Sequence, residues 1–249
     1  MAYAKIFLWL GYALVFYAIL MLLAALSALG FVEYPQAGTF LVVGSIIGIL
    51  GLIFAFAGQG SPNHETTKDA LVFLMVFWLL VPLIGCLPYL SLSSDPTFMT
   101  AYFEAVSATT TTGATTLVPE TLPKSIILWQ SLLQWSGGVM VATFAVVILA
   151  ALNLTGIGEH RSVLFTLRRG EIFSRLISIG RLVAVLYALV AAICFVCLSL
   201  SGTPVFEALC LSLSAISTGG LTPRSGPLVN YVSGAGGLIL AATCLLGAV

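Results

Sequence analysis

Long apolar runs separated by short polar ones dominate this chain. Uncharged stretches cover residues 6–31, 38–58, 70–92, 126–152, 182–202 and 227–249. A helix that crosses the ~30 Å hydrocarbon core of a bilayer needs ~20 apolar residues, and each run meets that length. Six spanning helices are therefore predicted. The first run is longer than a signal-peptide core and lacks a clean cleavage site, so it reads as a span. Two further apolar segments are too short to cross. Residues 96–109 carry Glu104, and residues 204–216 carry Glu207. At ~1.5 Å per residue each is predicted to be a re-entrant half-helix, with its proline suited to the first turn.

Each half-helix runs into a polar stretch with glycine. The first is Ser107-Ala108-Thr109-Thr110-Thr111-Thr112-Gly113-Ala114-Thr115-Thr116; the second is Ser214-Ala215-Ile216-Ser217-Thr218-Gly219-Gly220. Polar backbone at membrane depth is tolerated only where protein or a water-filled path surrounds it. The flanks repeat as well. Phe103-Glu104-Ala105 precedes the first glycine and Phe206-Glu207-Ala208 the second. Gly113 follows Phe103 by ten residues and Gly219 follows Phe206 by thirteen, which predicts a second half-helix nearly one turn longer. Both loops contain prolines (Pro119 and Pro123; Pro223 and Pro227). Both are followed by small-residue clusters: Ser136-Gly137-Gly138, and Ser233-Gly234-Ala235-Gly236-Gly237.

The expected organisation is two N-terminal helices (1–68), a first span–loop–span repeat (69–158), a basic linker (159–181) and a second repeat (182–249). An even number of spans separates the repeats, so they share one orientation. Such a parallel repeat suits a pore with rotational pseudo-symmetry about the membrane normal.

Composition supports the membrane assignment. Of 249 residues, 60% are hydrophobic and 7% charged, against roughly a quarter charged in soluble domains. The zero net charge implies no nucleic-acid partner. Arg161, Arg168, Arg169, Arg175 and Arg181 cluster in the linker against Glu159 and Glu171. By the positive-inside rule that linker is cytoplasmic, together with the N-terminus, Lys5 and Lys68. Lys124 and Arg224 fall on the outer side, from which both half-helices enter. His64 and His160 have no metal-ligand partner at useful spacing. Cys194 and Cys197 read as small packing residues on one helix face, and no disulfide framework follows. No His, Asp or Lys lies within a span, and there is no G-x-S-x-G, so no intramembrane enzyme is expected.

Thr-Gly loops suit a dehydrated monovalent cation. Backbone carbonyls can replace the ion's water shell. Threonine favours extended backbone, and glycine reaches angles closed to other residues. The half-helix directs the negative end of its dipole to the pore centre. Neither loop contains the acidic ring usual in divalent filters. The candidate filter residues are Thr110, Thr111, Thr112 and Gly113, with Ser217, Thr218 and Gly219. Glu104 and Glu207 are read as caps near half-helix starts, where the dipole favours an acid. Gly137 and Gly138 allow close packing or bending. Arg224 either positions cations or is a solvated loop charge.

The stretches Phe103-Glu104-Ala105-Val106-Ser107, Thr110-Thr111-Thr112-Gly113-Ala114, Trp129-Gln130-Ser131-Leu132-Leu133-Gln134-Trp135-Ser136-Gly137-Gly138 and Ser217-Thr218-Gly219-Gly220-Leu221 resemble the Trk/Ktr/HKT superfamily of potassium transporters. Two helices before the first repeat fit its Trk branch. The resemblance implies an all-α integral membrane protein of the bacterial inner membrane, with four span–loop–span repeats around one potassium-channel-like pore. It implies a filter glycine in each repeat, here Gly113 and Gly219; glycine at Gly113 leans toward potassium over sodium. It further implies a homodimer, surrounding lipid, a cytosolic nucleotide-binding regulatory ring, and no cofactor beyond the transported ion. Two repeats where the family has four predict an N-terminal portion of a longer transporter; a short protein pairing two copies is the other reading. A secondary transporter of another fold is the runner-up, although the intramembrane charges usual at such sites are missing.

Overall fold

Small residues bring the first two helices into close contact. α1 (Tyr3–Gly30) and α2 (Tyr34–Ala57) form an antiparallel hairpin around a tight turn at Val32, whose φ is 63°. Along the seam a Cβ on Gly11 would lie 2.5 Å from the Ala55 nitrogen, and one on Gly51 would lie 2.9 Å from the Gly11 oxygen. Gly44, Gly48, Gly51, Ala55 and Gly58 therefore form the packing stripe that lets membrane helices approach backbone to backbone. The opposite face of α2 exposes Ile46, Ile49, Ile53 and Phe56, a surface suited to lipid.

The structure, a computed structural model, describes residues 3–59, 67–92, 94–153 and 172–248. Among these every element is helical. Four helices are long and apolar enough to cross a membrane: Ala4–Gly30, Tyr34–Ala57, Lys68–Ser91 and Leu176–Leu200. The chain is an all-α integral membrane protein. His64, Glu159, His160, Arg161, Arg168, Arg169 and Glu171 lie outside the described residues.

Two units follow the hairpin. The first comprises α3 (Thr67–Gly85), α4 (Phe98–Thr109) and α5 (Lys124–Asn153). The second comprises α6 (Ile172–Leu200), α7 (Val205–Ile216) and α8 (Gly234–Ala248). α3 tolerates Pro82 inside it and ends at Gly85, and residues Leu87–Ser91 tighten into a 3-10 turn. An aromatic cluster of Phe73, Phe77, Trp78 and Phe144 ties α3 to α5. The buried indole of Trp129 donates to the Gly85 carbonyl at 3.0 Å and meets Phe40 edge-on at 5.8 Å between centroids. These contacts pin α5 between the hairpin and its own unit. α5 is also the most polar interior helix: Ser125, Gln130, Ser131, Gln134, Ser136 and Thr143 are all buried.

The last predicted span differs from the sequence reading. Residues 227–233 form no α-helix; Leu228–Asn230 make a 3-10 turn, and α8 starts at Gly234. Ser233 explains the start, since its hydroxyl accepts from the Gly236 amide at 3.1 Å as an N-cap. The half-helices also differ from the prediction. α4 and α7 each contain 12 residues, so the second is not longer.

Candidate functional site

Both half-helices end in the same hydrogen-bonded cap. In the first, the Thr111 amide donates to the Ala108 carbonyl (3.1 Å) and the Thr112 amide to the Ser107 carbonyl (2.9 Å). In the second, the Thr218 amide donates to the Ala215 carbonyl (3.0 Å) and the Gly219 amide to the Ser214 carbonyl (2.9 Å). This paired arrangement is a Schellman cap, which puts its C′ residue in the left-handed region. That residue is usually glycine, yet here it is Thr111 (φ 56°) and Thr218 (φ 52°). A β-branched residue in that region is an outlier that costs of order 1–3 kcal/mol. Two residues further on, Gly113 (φ 76°) and Gly220 (φ 78°) again have positive φ.

The two caps set the internal register. Ser107-Ala108 matches Ser214-Ala215, Thr110 matches Ser217, Thr112 matches Gly219, and Gly113 matches Gly220. The Phe-Glu-Ala motifs do not coincide in this register. Glu104 lies one turn deeper in its half-helix than Glu207 does, and the two acids act differently.

Glu104 is fully buried in the middle of α4 and not at its start, so it is not a cap. Its carboxylate reaches across to the limb of the loop beyond Gly113. It accepts from the Thr115 hydroxyl (2.8 Å), the Thr116 amide (2.7 Å) and the Thr116 hydroxyl (2.9 Å). Thr97 performs the capping instead, accepting from the Thr100 amide at 3.2 Å. Glu207 does stand in the first turn of α7. It receives Arg224 in a charge-assisted contact through Nε (2.8 Å) and a terminal guanidinium nitrogen. Arg224 is thus committed to bracing the second loop, with half of its side chain still exposed.

The loops meet each other. A Cβ on Gly113 would lie 2.2 Å from the Gly219 carbonyl oxygen. Glu120 of the first loop accepts from the amide (2.6 Å) and hydroxyl (2.7 Å) of Ser225 in the second. A cavity of about 290 Å³ opens between them, lined by Gly113, Thr115, Gln130, Gly220 and Arg224 among others. Thr110, Thr112, Thr218 and Gly220 are exposed, whereas Ser217 and Gly219 are buried.

The following helices support the caps from below. A Cβ on Gly137 would lie 1.9 Å from the Thr109 carbonyl oxygen, and one on Gly247 would lie 2.0 Å from that of Ile216. The counterpart of Gly137 is therefore Gly247, not the Gly234–Gly237 cluster. Gly138 faces the other unit, where its Cβ would lie 2.8 Å from that of Ser217. Gly137 and Gly138 serve close packing.

A family model described as TrkH, cation transport protein, matches residues 44–249. The chain belongs to this family. It is 32% identical over 172 residues to the Trk system potassium uptake protein TrkG of Escherichia coli K12, covering 67% of this chain and 36% of that protein. It is 28% identical over 244 residues to the Trk system potassium uptake protein TrkH of Vibrio parahaemolyticus, covering 96% of this chain and 50% of that protein. The crystal structure of the potassium transporter TrkH from Vibrio parahaemolyticus superposes with a TM-score of 0.77 at 25% identity, over 98% of this chain and 49% of that one. The chain thus spans half or less of the length of these relatives. Membership places it among transport proteins rather than enzymes, and sets aside a secondary transporter of another fold.

Sequence reasoning missed the braces. Neither Glu33 nor Glu120 stood out, yet Glu33 accepts from the Lys124 and Ser125 amides (2.8 and 3.0 Å) and from the Ser125 hydroxyl (2.6 Å), holding the start of α5. The Lys124 ammonium in turn sits 4.7 Å from the Phe31 ring centroid and 5.7 Å from that of Phe206. The true repeat register did leave a trace in the sequence: the Ser-Ala pairs at 107–108 and 214–215.

Proposed function

We propose that this chain contributes two walls of a potassium uptake pathway across the bacterial plasma membrane. Backbone carbonyls of Thr110, Thr111, Thr112 and Gly113 and of Ser217, Thr218, Gly219 and Gly220 replace the ion's hydration shell. The observation that carries the reading is the duplicated cap. Two threonines held at positive φ, one after each half-helix, turn the chain sharply where the helix dipole ends. Strain kept twice at equivalent points is accounted for by function rather than by folding. Potassium as the ion comes from the relatives, whose names are those of potassium uptake proteins.

In this reading the loops enter from the outer face, and the N-terminus and basic linker are cytoplasmic. Residues 1–68 buttress the first repeat (69–158), and residues 182–249 supply the second. A homodimer and a cytosolic nucleotide-binding regulatory ring belong to the proposal through the superfamily resemblance.

The test uses the complete coding sequence in cells lacking other potassium uptake systems, with rubidium and sodium uptake measured side by side. Gly113→Ser places a side chain at φ 76° and 2.2 Å from the Gly219 oxygen, so the rubidium-to-sodium ratio is expected to fall. An unchanged ratio at normal protein level sinks the filter assignment.

A further inference from the structure

Gly219 is the unexplained residue of the second loop. Its counterpart is Thr112, and its φ is not among the positive ones, which belong to Thr218 and Gly220. Backbone conformation therefore does not demand glycine there, but space does. A Cβ on Gly219 would lie 2.5 Å from Nε2, 2.6 Å from Cδ and 3.0 Å from Cγ of Gln134. Gln134 comes from α5 of the other unit, three residues before Gly137 at the Thr109 carbonyl and four before Gly138 at Ser217. It stands where the first half-helix end and the second loop meet.

The Gln134 amide is fully buried, and neither its oxygen nor its nitrogen has a hydrogen-bond partner among the described residues. A side-chain amide brings two donors and an acceptor. Leaving them bare in a low-dielectric interior is costly, so such a group in a native fold calls for an explanation. The matching position on α8, set by the Gly137–Gly247 equivalence, is Cys244, which carries no amide. It lines a cavity behind Thr218 and Gly220. The amide is thus a feature of one junction and not of the repeat.

We propose that Gln134 is a positioning residue of the ion path. Its amide fills the space that Gly219 leaves, and donates to second-loop carbonyl oxygens when the loop holds a dehydrated cation. This keeps the remaining carbonyls of that loop turned toward the ion. Gly219 is glycine to admit the amide. The inference rests on the pore reading above.

The test again compares rubidium and sodium uptake from the complete coding sequence, with protein level measured in the membrane. Gln134→Leu keeps the bulk and removes the amide; the rubidium-to-sodium ratio is expected to fall about fivefold, the worth of one typical hydrogen bond. Gly219→Ala displaces the amide and is expected to give the same loss. The double variant is expected to be no worse than either single one, because both remove the same contact. A wild-type ratio in Gln134→Leu overturns the inference, as do losses that multiply in the double variant. If Gln134→Leu is not made, Gln134→Ala with and without Gly219→Ala reads the same coupling. A Gly113→Ser effect without a Gln134 effect sinks this inference alone, whereas no effect at Gly113 sinks the pore reading beneath it.

Discussion

The two loops share a backbone and differ in what holds them. Each leaves a 12-residue half-helix through the same cap, with threonine at positive φ. The first is then tied from within by the buried Glu104, which gathers neutral donors from the exposed Thr115 and Thr116. The second is tied by the Glu207–Arg224 ion pair, in which a half-exposed guanidinium covers a buried carboxylate. The cap is the part that the chain keeps twice. The brace can be built from whatever the neighbourhood supplies, which is why the matching Phe-Glu-Ala motifs lead to different roles.

Removing the common support is expected to have the largest effect. Gly137→Ala and Gly247→Ala both drive a methyl group into a carbonyl that cannot swing away. Overpacking of this kind costs about 1–3 kcal/mol, and more where backbone must move. Thermal unfolding of the purified protein in detergent should show a clear drop for both. A drop at only one would break the equivalence of the two junctions.

The braces come next. Glu104→Ala removes a buried acceptor, but its Thr115 and Thr116 donors are exposed and can turn to water, which holds the cost to about 1–3 kcal/mol. Arg224→Ala leaves the buried Glu207 carboxylate without its cation, which costs more than the loss of a surface pair. Unfolding temperatures of both variants should therefore fall; an Arg224→Ala variant that melts like the wild type would show that the ion pair does not hold the second loop.

The smallest effect concerns the tie between loops. The Ser225 hydroxyl, and then its amide, hold the Glu120 carboxyl below the ordinary glutamate value of 4.5. A carboxyl lowered in the folded state contributes stability above its unfolded pKa and loses it as the pH falls through the folded one. Acidification below 4.5 should therefore destabilise the wild type slightly more than Glu120→Gln. Identical acid sensitivity in melting curves would remove the tie from the account.

Much of this was legible in the chain. The apolar runs announced α1, α2, α3, α5 and α6, since a bilayer imposes one length on any spanning helix. The two short segments announced α4 and α7. The register between repeats was not legible from the most conspicuous motif. Phe-Glu-Ala aligned the glutamates, whereas the backbone aligned Ser107-Ala108 with Ser214-Ala215, and paired Gly113 with Gly220 rather than Gly219. Local identity of side chains does not report where a helix stops; the hydrogen bonds of its last turn do.

Hydrophobic length and backbone permissiveness are local properties, so the order of residues already specifies a helical membrane protein with two polar, glycine-bearing turns. Which residues brace those turns is settled by the packing of distant segments. Glu104 reaches eleven residues along the chain to Thr115, Glu33 reaches α5 across 91, and Gln134 meets Gly219 from another unit. A carboxylate or amide finds its partners through space, and their distance along the chain carries no mark of it.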